Sequence, residues 1–175
     1  MDQDNYFSLF SIPVNYTVDK AELTSRYLAL QKAIHPDKFS QGAEQERLFS
    51  VQQTAKLNEA YNTLINPLLR ARYLLQLNGF EVNEQNTIMD PAFLMQQMEL
   101  REAISLAKQK QIEAEEFEET IDQIDDLYKS QLQEIQELFN NAAPQYDRIS
   151  DAVKKLQFIS KLREEADDLA DTLVN

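Results

Sequence analysis

Phe117, Ile121, Ile124, Tyr128, Leu132, Ile135 and Phe139 recur at spacings of four, three, four, four, three and four, with acidic residues filling many positions between them. That is one stripe of a helix, and it predicts an unbroken helix over residues 113–141. So long a stripe cannot bury itself, and other helices must cover it. Asn141 and Pro144 break the pattern, and residues 145–173 continue as a last helix with Leu156, Ile159, Leu162 and Ala166 on its own stripe. A further helix opens at Asp90-Pro91, Asp90 as cap and Pro91 in the first position, with Phe93, Leu100, Ile104 and Ala107 on one side. Short loops then dictate a three-helix bundle over residues 90–175. With two glycines in 175 residues, a turn-rich all-β architecture is disfavoured, and the expected fold class is all-α.

The first part of the chain reads as helices too. Residues 5–12 form a short apolar helix closed by Pro13. Asp19 and Glu22 make a capping pair for a helix over 19–35, where Leu23, Tyr27, Leu30 and Ile34 share a stripe. Pro36 ends it, removing a backbone donor and pushing His35 toward extended angles. A loop runs to Gly42, then a helix over 43–66 in which Leu48, Val51, Ala55, Leu57, Tyr61 and Leu64 are expected to face the preceding helix. Pro67 starts a helix to residue 77 that would pack Leu69, Tyr73 and Leu77, and Leu77-Asn78-Gly79 stops it. Residues 79–89 carry no sustained period. The expected organisation is a helical-hairpin domain over 1–78, a linker over 79–89 and the bundle over 90–175.

Charge is placed unevenly. Residues 1–75 hold 8 basic and 8 acidic side chains, residues 76–175 hold 9 and 22, so the net charge of -13 belongs to the second part. Such a lobe repels phosphate backbones and anionic lipid, which argues against nucleic-acid or membrane-surface binding and favours a partner with a basic face. With no cysteine and a single histidine, the chain cannot by itself build a zinc site or a thiolate-held cluster, and no metal or cofactor is expected. Met1-Asp2-Gln3-Asp4 has neither the basic region nor the apolar core of a signal peptide, and no apolar run reaches the ~18 residues of a membrane span, so a cytoplasmic protein is expected.

The only histidine stands in His35-Pro36-Asp37, on a loop at a helix end. Taken alone, the tripeptide is either a polar helix stop or a functional loop. Its setting is more specific. An amphipathic helix, His-Pro-Asp, and a second helical run Gln-Gln-Thr-Ala-Lys-Leu-Asn-Glu-Ala-Tyr-Asn-Thr-Leu over 52–64 together resemble the J-domain of DnaJ-type co-chaperones. Further runs extend the match: Asn-Pro-Leu-Leu-Arg-Ala-Arg-Tyr-Leu-Leu over 66–75, Asn-Gly-Phe over 78–80, Phe-Leu-Met-Gln-Gln-Met-Glu-Leu-Arg-Glu over 93–102 and Lys-Leu-Gln-Phe-Ile-Ser-Lys-Leu-Arg over 155–163. These resemble the HscB family, the J-type co-chaperones of iron-sulfur cluster assembly, over nearly the whole chain.

The resemblance implies an adaptor and no enzyme. His35, Pro36 and Asp37 would stimulate the ATPase of a DnaK-type chaperone, HscA in the family, with Asp37 as a fixed anionic acceptor and Arg26, Lys32 and Lys38 attracting an acidic chaperone surface. Ile34 stands where many J-domains have Tyr. On the helix from Asp90, Leu94, Met95, Met98 and Glu102 cluster nearly opposite the core stripe. Periodicity leaves two readings for this second patch, burial between domains or an exposed partner site. The resemblance implies the second, a docking surface for the scaffold protein IscU formed by Leu94, Met95, Met98, Glu99, Arg101 and Glu102, joined by Phe158. Asp125 and Asp126 read as a solvated acidic face. The other readings are a general J-protein delivering unfolded clients through its acidic bundle, and a hydrolase using His35 and Asp37, for which no nucleophile is evident.

Overall fold

Pro67 and Pro91 each open a helix, and Gly79 takes a left-handed conformation just past the end of another. A computed structural model describes residues 5–34, 44–82 and 90–174, with side chains through residue 172. The predicted loop with His35, Pro36, Asp37 and Lys38, and residues 83–89 of the predicted linker, lie outside the described residues. Among the described residues the fold is all-α, without strands: α1 (Tyr6–Leu9), α2 (Lys20–Ile34), α3 (Glu44–Ile65), α4 (Pro67–Leu77), α5 (Pro91–Lys108), α6 (Ala114–Asn140) and α7 (Tyr146–Val174). The chain divides into two compact units, Met1–Leu77 and Asn78–Asn175.

In the first unit, capping side chains set the helix starts. Asp19 Oδ1 accepts from the amides of Ala21 and Glu22, at 2.9 and 3.0 Å, whereas Glu22 turns its carboxylate to Arg26 and leaves the capping box half made. Asn66 Oδ1 accepts from the amides of Leu68 and Leu69 and starts α4 with Pro67 in first place. The α2–α3 hairpin is held largely by polar and aromatic contacts. Tyr27 stacks on Tyr61 with ring centroids 4.1 Å apart, Tyr27 donates to Asn58 Oδ1, Gln31 Nε2 donates to Tyr27, and Ser50 Oγ donates to the Ile34 carbonyl. Leu23 is the one fully buried residue of α2. Tyr6 stacks on Tyr73, whose hydroxyl accepts from the Tyr6 amide. Burial pushes the Tyr6 phenol above its ordinary range, and a hydrogen bond to Glu59 of α3 adds to the rise.

Two predicted faces in this unit are corrected. Leu48, Val51 and Ala55 are exposed, and the buried positions of α3 are Ser50, Leu57, Ala60 and Leu64. At about 100° per residue the first three lie 120° or more around the helix from Leu57, so one face could not bury both sets. In α4, Leu69 and Leu77 are exposed and Arg70, Ala71, Leu74 and Leu75 are buried. Arg70 turns that face inward: its guanidinium lies over the Tyr16 ring, 5.0 Å from the centroid, and Nη1 donates to the Leu64 carbonyl that ends α3.

The second unit is a three-helix bundle built as its periodicity predicts. Phe93, Leu100, Ile104 and Ala107 of α5, Phe117, Ile124 and Ile135 of α6, and Leu156, Ile159, Leu162 and Ala166 of α7 are all buried. Asp125, predicted to be a solvated carboxylate, instead accepts from Arg163 Nε at 2.6 Å and ties α6 to α7. That bond raises the Arg163 guanidinium's pKa. Asn78 and Phe80, in the stretch after α4, belong to this unit: Tyr146 Oη donates to Asn78 Oδ1 at 2.8 Å and its ring stacks on Phe80. Gly79 has φ +79° and open space where a Cβ would stand, so its backbone angle alone calls for glycine.

At the end of α5 the amide of Gln111 bonds to the Leu106 carbonyl and that of Lys110 to Ala107, a Schellman closure with Lys110 at φ 56°. A left-handed non-glycine residue there costs about 1 kcal/mol. Lys110→Gly is expected to stabilise the protein by about 0.5–1 kcal/mol, read as a rise in melting temperature of a few degrees.

Candidate functional site

Two of the residues predicted to attract a chaperone lie on the described part of α2. Arg26 is engaged within its own unit: Nη1 donates to the carbonyls of Phe10 and Ser11, at 2.6 and 2.7 Å, and Nη2 pairs with Glu22 at 2.5 Å. It therefore anchors the turn after α1, where Ser11 has φ 52°. Lys32 is exposed in the last turn of α2.

The predicted docking surface is resolved in full on α5. Asp90 caps the helix through the Ala92 amide, with Pro91 in first place. One side then carries the core stripe. On the other, Leu94 is 43 % exposed, Met95 63 % and Met98 70 %, and Glu99, Arg101 and Glu102 are exposed around them. The bundle is already closed by Phe93, Leu100, Ile104 and Ala107, so folding does not account for three large apolar side chains in water. Their shape is adaptable, and charges of both signs surround them, as in a protein-binding patch.

Phe158 is half-buried on α7. It precedes Glu165 and Leu169 by seven and eleven residues and so shares their helix face. Glu165 and Leu169 line a groove with Arg101 and Ser105 of α5. Phe158 thus faces α5, nearer its N-terminal half, where Lys155 stands over the Phe93 ring at 5.4 Å. Its neighbours Lys155 and Ile159 line a groove with Met95 and Glu99 of α5. Sequence reasoning passed over Gln97, which is only 8 % exposed on the edge between core stripe and patch, with Nε2 lacking a hydrogen-bond partner. Its spacing of four from Phe93 and three from Leu100 placed it on the buried side.

Among the described residues no group of three or more His, Asp or Glu side chains could hold a metal ion, and no helix is long and apolar enough to cross a membrane. The chain thus has two helical units, the second carrying an exposed apolar patch beside its closed core. Residues 89–167 match the family model described as the HSCB C-terminal oligomerisation domain. The whole fold is similar to chaperone HscB from Vibrio cholerae, with 37 % identity, TM-score 0.84, and 97 % of this chain and 99 % of that one covered. It is likewise similar to human co-chaperone HscB, with 30 % identity, TM-score 0.86, and 95 % and 82 % covered. The Jac1 co-chaperone of Saccharomyces cerevisiae shares the fold at 23 % identity, TM-score 0.74, with 96 % and 95 % covered. The chain belongs to the HscB co-chaperone family, whose fold joins an N-terminal J-domain to a C-terminal helical bundle.

Truncation separates core from patch on α5. Leu94→Ala/Met95→Ala/Met98→Ala is expected to shift stability by no more than about 0.5 kcal/mol per site, whereas Leu100→Ala alone costs about 2–5 kcal/mol. Urea denaturation of the two variants checks this; a triple variant as unstable as Leu100→Ala would place the patch in the core.

Proposed function

We propose that this protein activates a DnaK-type chaperone, HscA in the family, and delivers to it the scaffold protein IscU on which iron-sulfur clusters are built. The observation that carries the reading is the exposed Leu94, Met95 and Met98 on a helix whose opposite side already closes the bundle. Membership of the HscB family supports it, and so does the charge of the second unit, suited to a partner with a basic face.

The division of labour follows the chemistry of the two units. In this reading the Asp37 carboxylate of His35-Pro36-Asp37 is offered to a basic group of the chaperone, Lys32 and Lys38 raise the encounter rate, and Arg26 fastens the turn after α1. The scaffold is held by Leu94, Met95, Met98 and Phe158 as apolar anchors, with Glu99, Arg101 and Glu102 setting orientation. Neither unit performs chemistry on the cluster. The protein's contribution is to raise the local concentration of scaffold at the chaperone.

Asp37→Asn removes one charge without changing shape. It is expected to abolish stimulation of HscA's ATPase and leave scaffold binding unchanged; full stimulation by the folded variant would sink the J-domain role. In calorimetric titration, Leu94→Ala/Met95→Ala/Met98→Ala/Phe158→Ala is expected to weaken IscU binding by about 3 kcal/mol, roughly a hundredfold. The same variant should still stimulate the chaperone alone and lose the further gain that scaffold brings. Undiminished scaffold affinity would move the docking site elsewhere, and equal binding of unrelated unfolded chains would favour a general client carrier.

A further inference from the structure

The net charge of this chain is concentrated at one end of the bundle. Residues 110–126 and 161–172 hold 13 acidic and 3 basic side chains, a net of -10 out of -13. The Asp125–Arg163 pair shows that these stretches are neighbours, the start of α6 lying against the end of α7. Self-repulsion of this size works against folding. The bundle core opens at the same end, into a cavity of about 360 Å3 whose apolar floor is Ile112, Phe117, Ile121 and Ala170. Glu113 and Glu118 stand at its rim, with Lys110 the one base among the lining residues. A volume of this order admits one or two large side chains.

The geometry points to a second protein-docking surface, an apolar pocket that takes a large side chain of a partner segment bearing Lys or Arg on either side of it. Charge complementarity selects this occupant. Two copies of this end would bring like charges together, nucleic acid and anionic lipid are repelled, and a neutral apolar peptide would leave the carboxylates without counter-charge. The surface differs from the Leu94–Met98 patch, because Ala107, which also lines the cavity, lies nine residues beyond Met98 along α5, about 14 Å away. The assignment therefore stands or falls apart from that of the scaffold site. It permits two partners to be held at once.

The test uses the full chain and a synthetic 15-residue amphipathic peptide of leucine and lysine, followed by fluorescence anisotropy and by amide shifts in two-dimensional NMR. Binding is expected to shift the amides of Phe117, Ile121 and Ala170 and to spare those of Leu94–Met98. A peptide with alanine in place of every leucine, its charge unchanged, should bind at least about tenfold more weakly, and one with glutamate for lysine should not bind. Ala114→Trp, at an exposed position on the cavity wall, fills the pocket and should weaken the leucine-lysine peptide by about tenfold, while Leu94→Ala/Met95→Ala/Met98→Ala leaves it unchanged. If Ala114→Trp lowers the melting temperature, the surface pair Glu113→Gln/Glu118→Gln carries the test, with an expected loss of about threefold that shrinks as salt is added. Equal binding of the alanine peptide, or shifts spread over every acidic face, would overturn the proposal by reducing it to general charge attraction. Self-association without peptide that Ala114→Trp abolishes would overturn it in favour of a second copy.

Discussion

The second unit depends on one constraint, that a helix as long as α6 exposes a stripe which only an equally long neighbour can cover. The pairing of α6 with α7 meets it. Ile124 and Ile135 meet a face carrying Ile149, Val153, Leu156 and Leu162, all 1 % exposed or less, and Asp125 pairs with Arg163. An ion pair this exposed stabilises weakly. It joins the two helices at one point along their length. With the α6–α7 groove set, α5 adds one narrow stripe and is left free to present the rest of its surface.

That freedom separates the two faces of α5. A helix between two partners is commonly apolar all round; here the core side ends at Gln97, and Leu94, Met95 and Met98 begin beyond it. Because the patch lies on a continuous helix capped by Asp90 and Pro91, its backbone is held in one fixed conformation. The acidic residues occupy positions that contribute nothing to the core, so they could gather at one end of the bundle at a cost in repulsion alone.

The first unit is stabilised differently. α2 buries a single residue completely, and the hairpin relies on the Tyr27–Tyr61 stack and its hydrogen-bonded neighbours Thr24, Asn58 and Gln31. Aromatic and polar contacts are directional, and they define the α2–α3 register more sharply than a purely apolar seam would. Arg26 contributes in the same way, fastening the turn after α1 with two hydrogen bonds and pairing with Glu22 on its own helix.

What the sequence by itself determined was the set of helices and, in α6 and α7, which side of each faces inward. There the apolar residues follow a single phase, and one phase permits one buried face. The cap at Asp90, the start at Pro67 and the stop at Gly79 were equally local. Tertiary structure decided the faces of α3 and α4, because Leu48 and Val51 stand out of phase with Leu57 and Leu64, as Leu69 does with Leu74 and Leu75, and only the neighbouring helices select between two apolar sides. It also decided the fate of the charges. Arg26 and Asp125 looked like surface residues until partners 15 and 38 positions away were brought to them, and hydrogen bonds between distant positions leave no period in a sequence to be read.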